Sequence, residues 1–258
     1  MGRREQGYTP GTPCWIDLTT PDVDGAIAFY GALHGWTARE VMDGAYWYFE
    51  RDGAVVGGLS ALNDAQRAAG MPPAWSMYVS VADAAAAVAS AEALGGTSAL
   101  APLEIPGIGT MAAVADPQGG VTLLWQAGPF AGAEVVNAVG AWAWDDLQTT
   151  DPEGAAPFYE GLFGWTVSEI PGAGGAYMSI AHEGRGIAGI MRATREIKQP
   201  YWTVYIGVED VDAALRRSAD AGGRVIVEPM SVPTGRFAVG LDPQGAVFCV
   251  LESSAYDD

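Results

Sequence analysis

Three observations predict an α+β fold made of two tandem modules, each containing two βαβββ units. The first is an internal repeat: residues 14–36 (CWIDLTTPDVDGAIAFYGALHGW) align with residues 143–165 (AWDDLQTTDPEGAAPFYEGLFGW). Asp17 then meets Asp146, Phe29-Tyr30 meets Phe158-Tyr159, and Gly35-Trp36 meets Gly164-Trp165, all at an offset of 129. The second is a helical pattern directly after a short strand in both copies. The third is a turn, Asp116-Pro117-Gln118-Gly119, that returns as Asp242-Pro243-Gln244-Gly245 at an offset of 126. Trp75 matches Trp202 at offset 127, so small gaps account for the drift. The expected modules are 8–126 and 142–252, joined by the Gly/Ala-rich segment 127–141.

Within each module the elements follow in order. Cys14–Thr20 reads as a strand. Asp151 is suited to cap the next helix, with Pro152 at its first position. Ala26, Phe29, Tyr30 and Leu33 fall on one helical face, as do Ala155, Phe158, Tyr159 and Leu162. Gly35 and Gly164 stand where a helix end favours a left-handed residue. Strands are expected at Tyr46–Glu50 and Ala54–Ser60. The second unit restarts at Trp75–Val81, continues in an alanine-rich helix near Asp83–Leu94, and adds strands near Thr110–Ala115 and Val121–Gln126. The second module repeats this plan, with a helix near Asp210–Ala221. Each D-P-Q-G is a turn, with proline fixing φ at its second position.

Composition narrows the function. The chain has 258 residues, 31 acidic against 13 basic, and a net charge of −18. Such a surface repels phosphate backbones and anionic bilayers, so neither nucleic acid nor membrane is an expected partner. No apolar run is long enough to span a bilayer, and no apolar segment follows Arg3-Arg4, so the cytoplasm is the expected compartment. Two cysteines, Cys14 and Cys249, do not make a disulfide framework. There is no G-x-S-x-G, phosphate-cradling loop or dinucleotide fingerprint.

The strand followed by P-D-x-x-x-A-x-x-FY-x-x-L-x-GW, and later by D-P-x-G, resembles the vicinal oxygen chelate superfamily, which includes glyoxalase I, bleomycin-resistance proteins and extradiol dioxygenases. The resemblance covers nearly the whole chain, twice. It implies curled mixed sheets that enclose a ligand cup. It also implies metal-ligand positions, here Trp15, Ser76 and Leu123 in the first module and Trp144, Thr203 and Cys249 in the second. None is a good ligand set, and His34 and His182 fall elsewhere, so neither a metal nor another cofactor is expected.

Period-two alternation from those positions selects the inward side chains. For the first cup these are Trp15, Asp17, Thr19, Ser76, Tyr78, Ser80, Val121, Leu123 and Trp125, with Tyr46, Trp47 and Tyr48 adding aromatic surface. For the second they are Trp144, Asp146, Gln148, Thr203, Tyr205, Gly207, Val247, Cys249 and Leu251, with Tyr177. Arg236 is placed to clamp an anionic group over that second cup. Such a lining suits a planar, largely apolar ligand. Asp17 and Asp146, desolvated among rings, are candidate general bases or acceptors for a ligand hydroxyl.

Two readings stay open, along with a third that ranks last. One is a metal-independent binding protein of the bleomycin-resistance type, holding an aromatic natural product or antibiotic and conferring resistance by sequestration. Another is a metal-free isomerase, cyclase or lyase that uses Asp17 or Asp146. The last is a metal-dependent glyoxalase or dioxygenase with unusual ligands. A second copy in a homodimer or a biosynthetic-pathway enzyme is the expected protein partner, with the oligomeric state left open. The repeat leaves open whether each cup is completed within a module or between modules.

Overall fold

The computed structural model describes residues 7–170, 175–193, 197–254 and 256. Its first module runs β1 (Pro13–Thr20), α1 (Val23–His34), β2 (Thr37–Met42), β3 (Tyr46–Arg51), β4 (Ala54–Ala61), α2 (Asp64–Ala68), β5 (Ala74–Ser80), α3 (Ala84–Ala93), β6 (Thr97–Ile105), β7 (Gly109–Ala115) and β8 (Val121–Ala127). The second runs β9 (Trp142–Thr149), α4 (Pro152–Phe163), β10 (Thr166–Glu169), β11 (Tyr177–His182), β12 (Arg185–Arg192), β13 (Tyr201–Gly207), α5 (Val211–Asp220), β14 (Arg224–Val232), β15 (Gly235–Leu241) and β16 (Val247–Ser253).

Each module forms its own eight-stranded sheet, in the order β2-β3-β4-β1-β5-β8-β7-β6, repeated as β10-β11-β12-β9-β13-β16-β15-β14. β1 pairs parallel with β4, β5 pairs parallel with β8, and β1 and β5 run antiparallel, joining the two βαβββ units. Both cups are therefore built within a module. The sequence pattern missed β2, β6, β10 and β14, which are the sheet edges. Their side chains are largely exposed, so no apolar alternation marks them. It also missed α2, a short surface helix with no buried residue.

The helix ends follow the local signals. The Asp22 carboxylate accepts from Gly25 N and that of Asp151 from Gly154 N, each at 3.0 Å. Gly35 and Gly164 close α1 and α4 at φ 73° and 69°, a conformation that suits glycine.

The helices do not simply cover their own sheets. α1 packs on α5 and α3 on α4, so each helical contact joins opposite modules. One core cluster accordingly spans both halves, from Ile16, Leu18, Phe29 and Tyr30 to Leu147, Phe158, Tyr159 and Phe248. The D-P-Q-G turns lock this interface reciprocally. Tyr30 Oη donates to Asp242 Oδ2 at 3.1 Å, and Tyr159 Oη donates to Asp116 Oδ2 at 2.9 Å. The other oxygen of each aspartate ties its own turn, Asp116 Oδ1 accepting from Gln118 N and Gly120 N, and Asp242 Oδ1 from Gln244 N and Ala246 N. Gln118 reaches on to Thr149 and Asp151, and Gln244 to Asp22.

Tyr30→Phe and Tyr159→Phe each leave a buried aspartate oxygen without its phenol donor. Each should lower unfolding free energy by about 1–2 kcal/mol, measured by urea denaturation with the fold unchanged by circular dichroism. An unchanged midpoint would show that the cross-module bonds do not hold the halves together.

Candidate functional site

On β1 and β5, Ile16, Leu18, Met77 and Val79 enter the helix-side core, which turns Trp15, Asp17, Ser76 and Tyr78 to the opposite, concave face. Asp17, only 5% exposed, anchors the floor of the first cup. Its Oδ2 accepts from Tyr78 Oη at 2.8 Å and from Tyr46 Oη at 3.0 Å, and Trp15 Nε1 donates to the Tyr46 oxygen at 2.9 Å. The second cup repeats the arrangement. Asp146 Oδ1 accepts from Tyr177 Oη at 2.8 Å and Trp144 Nε1 at 3.0 Å, and the neighbouring Tyr205 phenol favours its charged form. Indole, phenols and carboxylate, far apart in sequence, thus form one network in each half.

Two glycines that the sequence pattern left unexplained make this network possible. Gly58 pairs with Asp17 and Gly189 with Asp146 on the neighbouring strand. A methyl group at either would overlap the hydroxyl of Tyr46 or Tyr177.

Most of the other candidates share these faces. Thr19 bonds Ser60, Leu123 and Trp125 pack in the first cup, and Tyr48 lies at its rim. Ser76 is opposite Asp17, Thr203 is opposite Asp146, and Cys249 is opposite Tyr205. Gln148 approaches the Met191 sulfur. Phe237, which the sequence reading did not select, meets Tyr205 edge-on with ring centroids 5.9 Å apart.

Two expectations need correction. Arg236 does not clamp the second cup: it pairs with Asp212 of α5 at 3.0 Å and lies 3.9 Å from Glu252. Alternation along β15 gives the inward place to its neighbour Phe237. Trp47 adds no surface to the first cup, because it packs against the helix-side core between Tyr46 and Tyr48.

The first cup also holds a residue that was expected to be a mere connector. Phe130 stacks on Tyr48 (5.2 Å, 14° between planes) and meets Trp15 and Trp125 edge-on at 4.9 and 5.9 Å. Trp125 Nε1 donates to the Phe130 carbonyl at 3.0 Å. A cleft of about 310 Å³ remains outside this plug, lined by Tyr8, Arg39, Tyr48, Phe130 and Glu134, and the Asp17 floor does not border it.

The donor set does not fit a metal. The expected positions supply two indoles, two hydroxyls, an alkyl chain and the Cys249 thiol, which burial holds well above its usual pKa. Among the described residues, no group of three or more His, Cys, Asp or Glu side chains gathers. His34 is buried against Tyr30 and Trp36, where desolvation lowers its pKa to about 3. His182 Nε2 lies 3.0 Å from the Pro10 carbonyl. No helix among the described residues is long and apolar enough to cross a membrane.

Paired βαβββ units, duplicated and curled around cups, define a protein of the glyoxalase type. Sequence comparison makes this specific: residues 138–250 match the Glyoxalase/Bleomycin resistance protein/Dioxygenase superfamily, and the chain belongs to that family. It is 36% identical to "Putative glyoxylase CFP32" of Mycobacterium tuberculosis, with 98% of each chain covered. It is 34% identical to "Anthracycline biosynthesis protein DnrV" of Streptomyces peucetius, covering 95% of this chain and 94% of that one. Among solved structures, the Mn(II)-bound glyoxalase from Novosphingobium aromaticivorans superposes with a TM-score of 0.65 at 17% identity, covering 100% of this chain and 87% of that one. The 2,3-dioxygenase LapB from Pseudomonas sp. KL28 also gives 0.65, at 14% identity, covering 96% and 93%. These two likenesses concern the fold.

Burial pushes the Asp17 carboxyl up to about 6, outweighing the bonds from Tyr78 and Tyr46 that favour its charge. The folded chain therefore binds this proton more tightly than the unfolded chain does. The group's contribution to stability is largest below its ordinary value of 3.8 and declines until pH passes about 6. Burial raises Asp145 and Asp146 as well, in the same direction. Asp17→Asn keeps an oxygen for both phenols and removes the titration. It should stabilise the protein at about pH 7 by up to about 3 kcal/mol and do little near pH 4, as followed by thermal unfolding across pH. Parallel profiles for variant and wild type would disprove the shift.

Proposed function

We propose that the protein binds a planar, polycyclic aromatic natural product, with no metal taking part, and sequesters or carries it beside an enzyme of the same biosynthetic route. The observation that carries this reading is the cup floor. The Asp17 carboxylate is held by two phenols and that of Asp146 by a phenol and an indole, and aromatic or aliphatic walls surround the first floor. Rings of this kind stack on a flat ligand with little entropy to lose, each contact adding about 0.5–1.5 kcal/mol beyond burial. The carboxylate and phenol oxygens supply acceptors for hydroxyls at a ligand's edge. Similarity to a protein named for anthracycline biosynthesis supports this ligand class, since an anthracycline carries a flat, hydroxylated ring system.

One observation favours a second reading, in which the cup carboxylate moves a proton. The Asp17 carboxyl, raised to about 6, lies in the range where a general base works near neutrality. Asp17→Asn and Asp146→Asn should then abolish turnover of a bound compound while leaving its binding intact.

The binding reading is tested by calorimetric and tryptophan-fluorescence titration with planar natural products, an anthracycline among them. A saturable signal is expected, and Asp146→Ala should weaken it about tenfold, equivalent to about 1.4 kcal/mol. Failure of every compound in the panel to bind would overturn it.

A further inference from the structure

We propose that Phe130 is a built-in occupant of the first cup, standing where a planar ligand's ring would lie, so that the chain carries one ligand site, the second cup. This rests on the reading of the cups as sites for flat aromatic molecules. Phe130 makes the contacts expected of such a ring: it lies parallel to Tyr48 and takes the edges of Trp15 and Trp125. Its carbonyl satisfies the Trp125 indole.

The segment that carries Phe130 is fastened at several points. Phe130 N donates to Ile108 O, Ala133 N to Cys14 O, and Glu134 N to Val55 O. The Glu134 carboxylate accepts from Val55 N, and Tyr8 Oη donates to Ala133 O. Strand β1 and the β3–β4 hairpin are thereby laced to the strap. Trp15 is left only 4% exposed beneath it.

The repeat offers a control inside the same molecule. At the offset of 126 that relates the two D-P-Q-G turns, Phe130 corresponds to Tyr256. Tyr256 does not enter the second cup. Its hydroxyl accepts from Val208 N and donates to Leu251 O, fixing it at the ends of β13 and β16. Among the described residues, no ring stacks on or packs edge-on against Trp144, whose indole nitrogen bonds Asp146 and the Tyr177 hydroxyl, and it is half-buried where Trp15 is covered. Leu251 stands in the register place of Trp125, and Phe237 in that of Met111, so the second cup is walled differently as well as uncovered. Two cups of common origin have diverged, one filled by its own chain and one left to a ligand.

Calorimetry with a dihydroxyanthraquinone as probe should give one site per chain in the wild type. Trp144→Ala should weaken that site about tenfold, and Phe130→Ala should raise the stoichiometry to two. A second measurement does not depend on the polycyclic ligand: toluene, which matches the removed ring, should raise the Tm of Phe130→Ala by roughly 2–4 °C and leave the wild type unmoved. Phe130→Leu, which keeps apolar packing, replaces the alanine variant if that one does not fold. Two sites in the wild type would overturn the proposal. So would binding that survives Trp144→Ala and is lost with Phe130→Ala, or a toluene response equal in variant and wild type. A wild type that binds no polycycle, beside a toluene-responsive Phe130 variant, would refute the ligand class while upholding Phe130 as the plug.

Discussion

The reciprocal hydrogen bond between a helix tyrosine of one module and a turn aspartate of the other is the constraint from which the rest of the molecule follows. Tyr30 and Tyr159 are fully buried, and their hydroxyls need acceptors that their own modules do not provide. Asp242 and Asp116 supply them, each already committed through its other oxygen to holding a tight turn. The bonds bring α1 against α5 and α3 against α4, so the apolar faces of both sheets close on a shared core. With those faces buried together, the opposite, concave face of each sheet is turned outward. The cups exist because the modules are joined back to back.

On the concave faces the balance of forces differs. A carboxylate removed from water loses hydration, and phenol or indole donors recover only part of that loss. The raised pKa of Asp17 records the deficit. Gly58 and Gly189 let the tyrosines cross the neighbouring strand to reach their acceptors, so backbone economy on one strand serves a polar contact on another. Asp145 shows the same tension on the core side. It is fully buried where the first module has Ile16, one oxygen bonded to Trp142 Nε1 and the other without a partner, and burial drives its carboxyl toward the neutral form. Duplication thus preserved the network in the cups while letting one core position become ionisable.

Much of this was legible in the chain. A strand shows alternate residues to opposite faces, so Trp15 shares a face with Asp17 and Trp144 with Asp146 by spacing, while the ligand positions implied by the resemblance brought Tyr78 and Tyr205 to the same cups. Asp151 announces a helix start, Gly35 and Gly164 helix ends. The edge strands were silent because exposure on both faces erases the apolar rhythm. Arg236 was misplaced by one step of alternation: the pairing of Phe237 with Leu251 sets the phase of β15, and that pairing is between strands. Trp47 was misread for a related reason, since three consecutive aromatics look alike in sequence while only the outer two share a face.

The sequence determined the duplication, the strand and helix phases and the pairing of a carboxylate with aromatic residues in each half, because these depend on short periodicities and on a repeat. Tertiary structure decided which surfaces became core, which module completed each cup, and that Phe130 lies among Trp15, Tyr48 and Trp125 while Tyr256 turns aside. Those outcomes depend on which groups meet across long stretches of chain. Steric fit and the satisfaction of buried polar atoms settle them, and neither is written in local spacing.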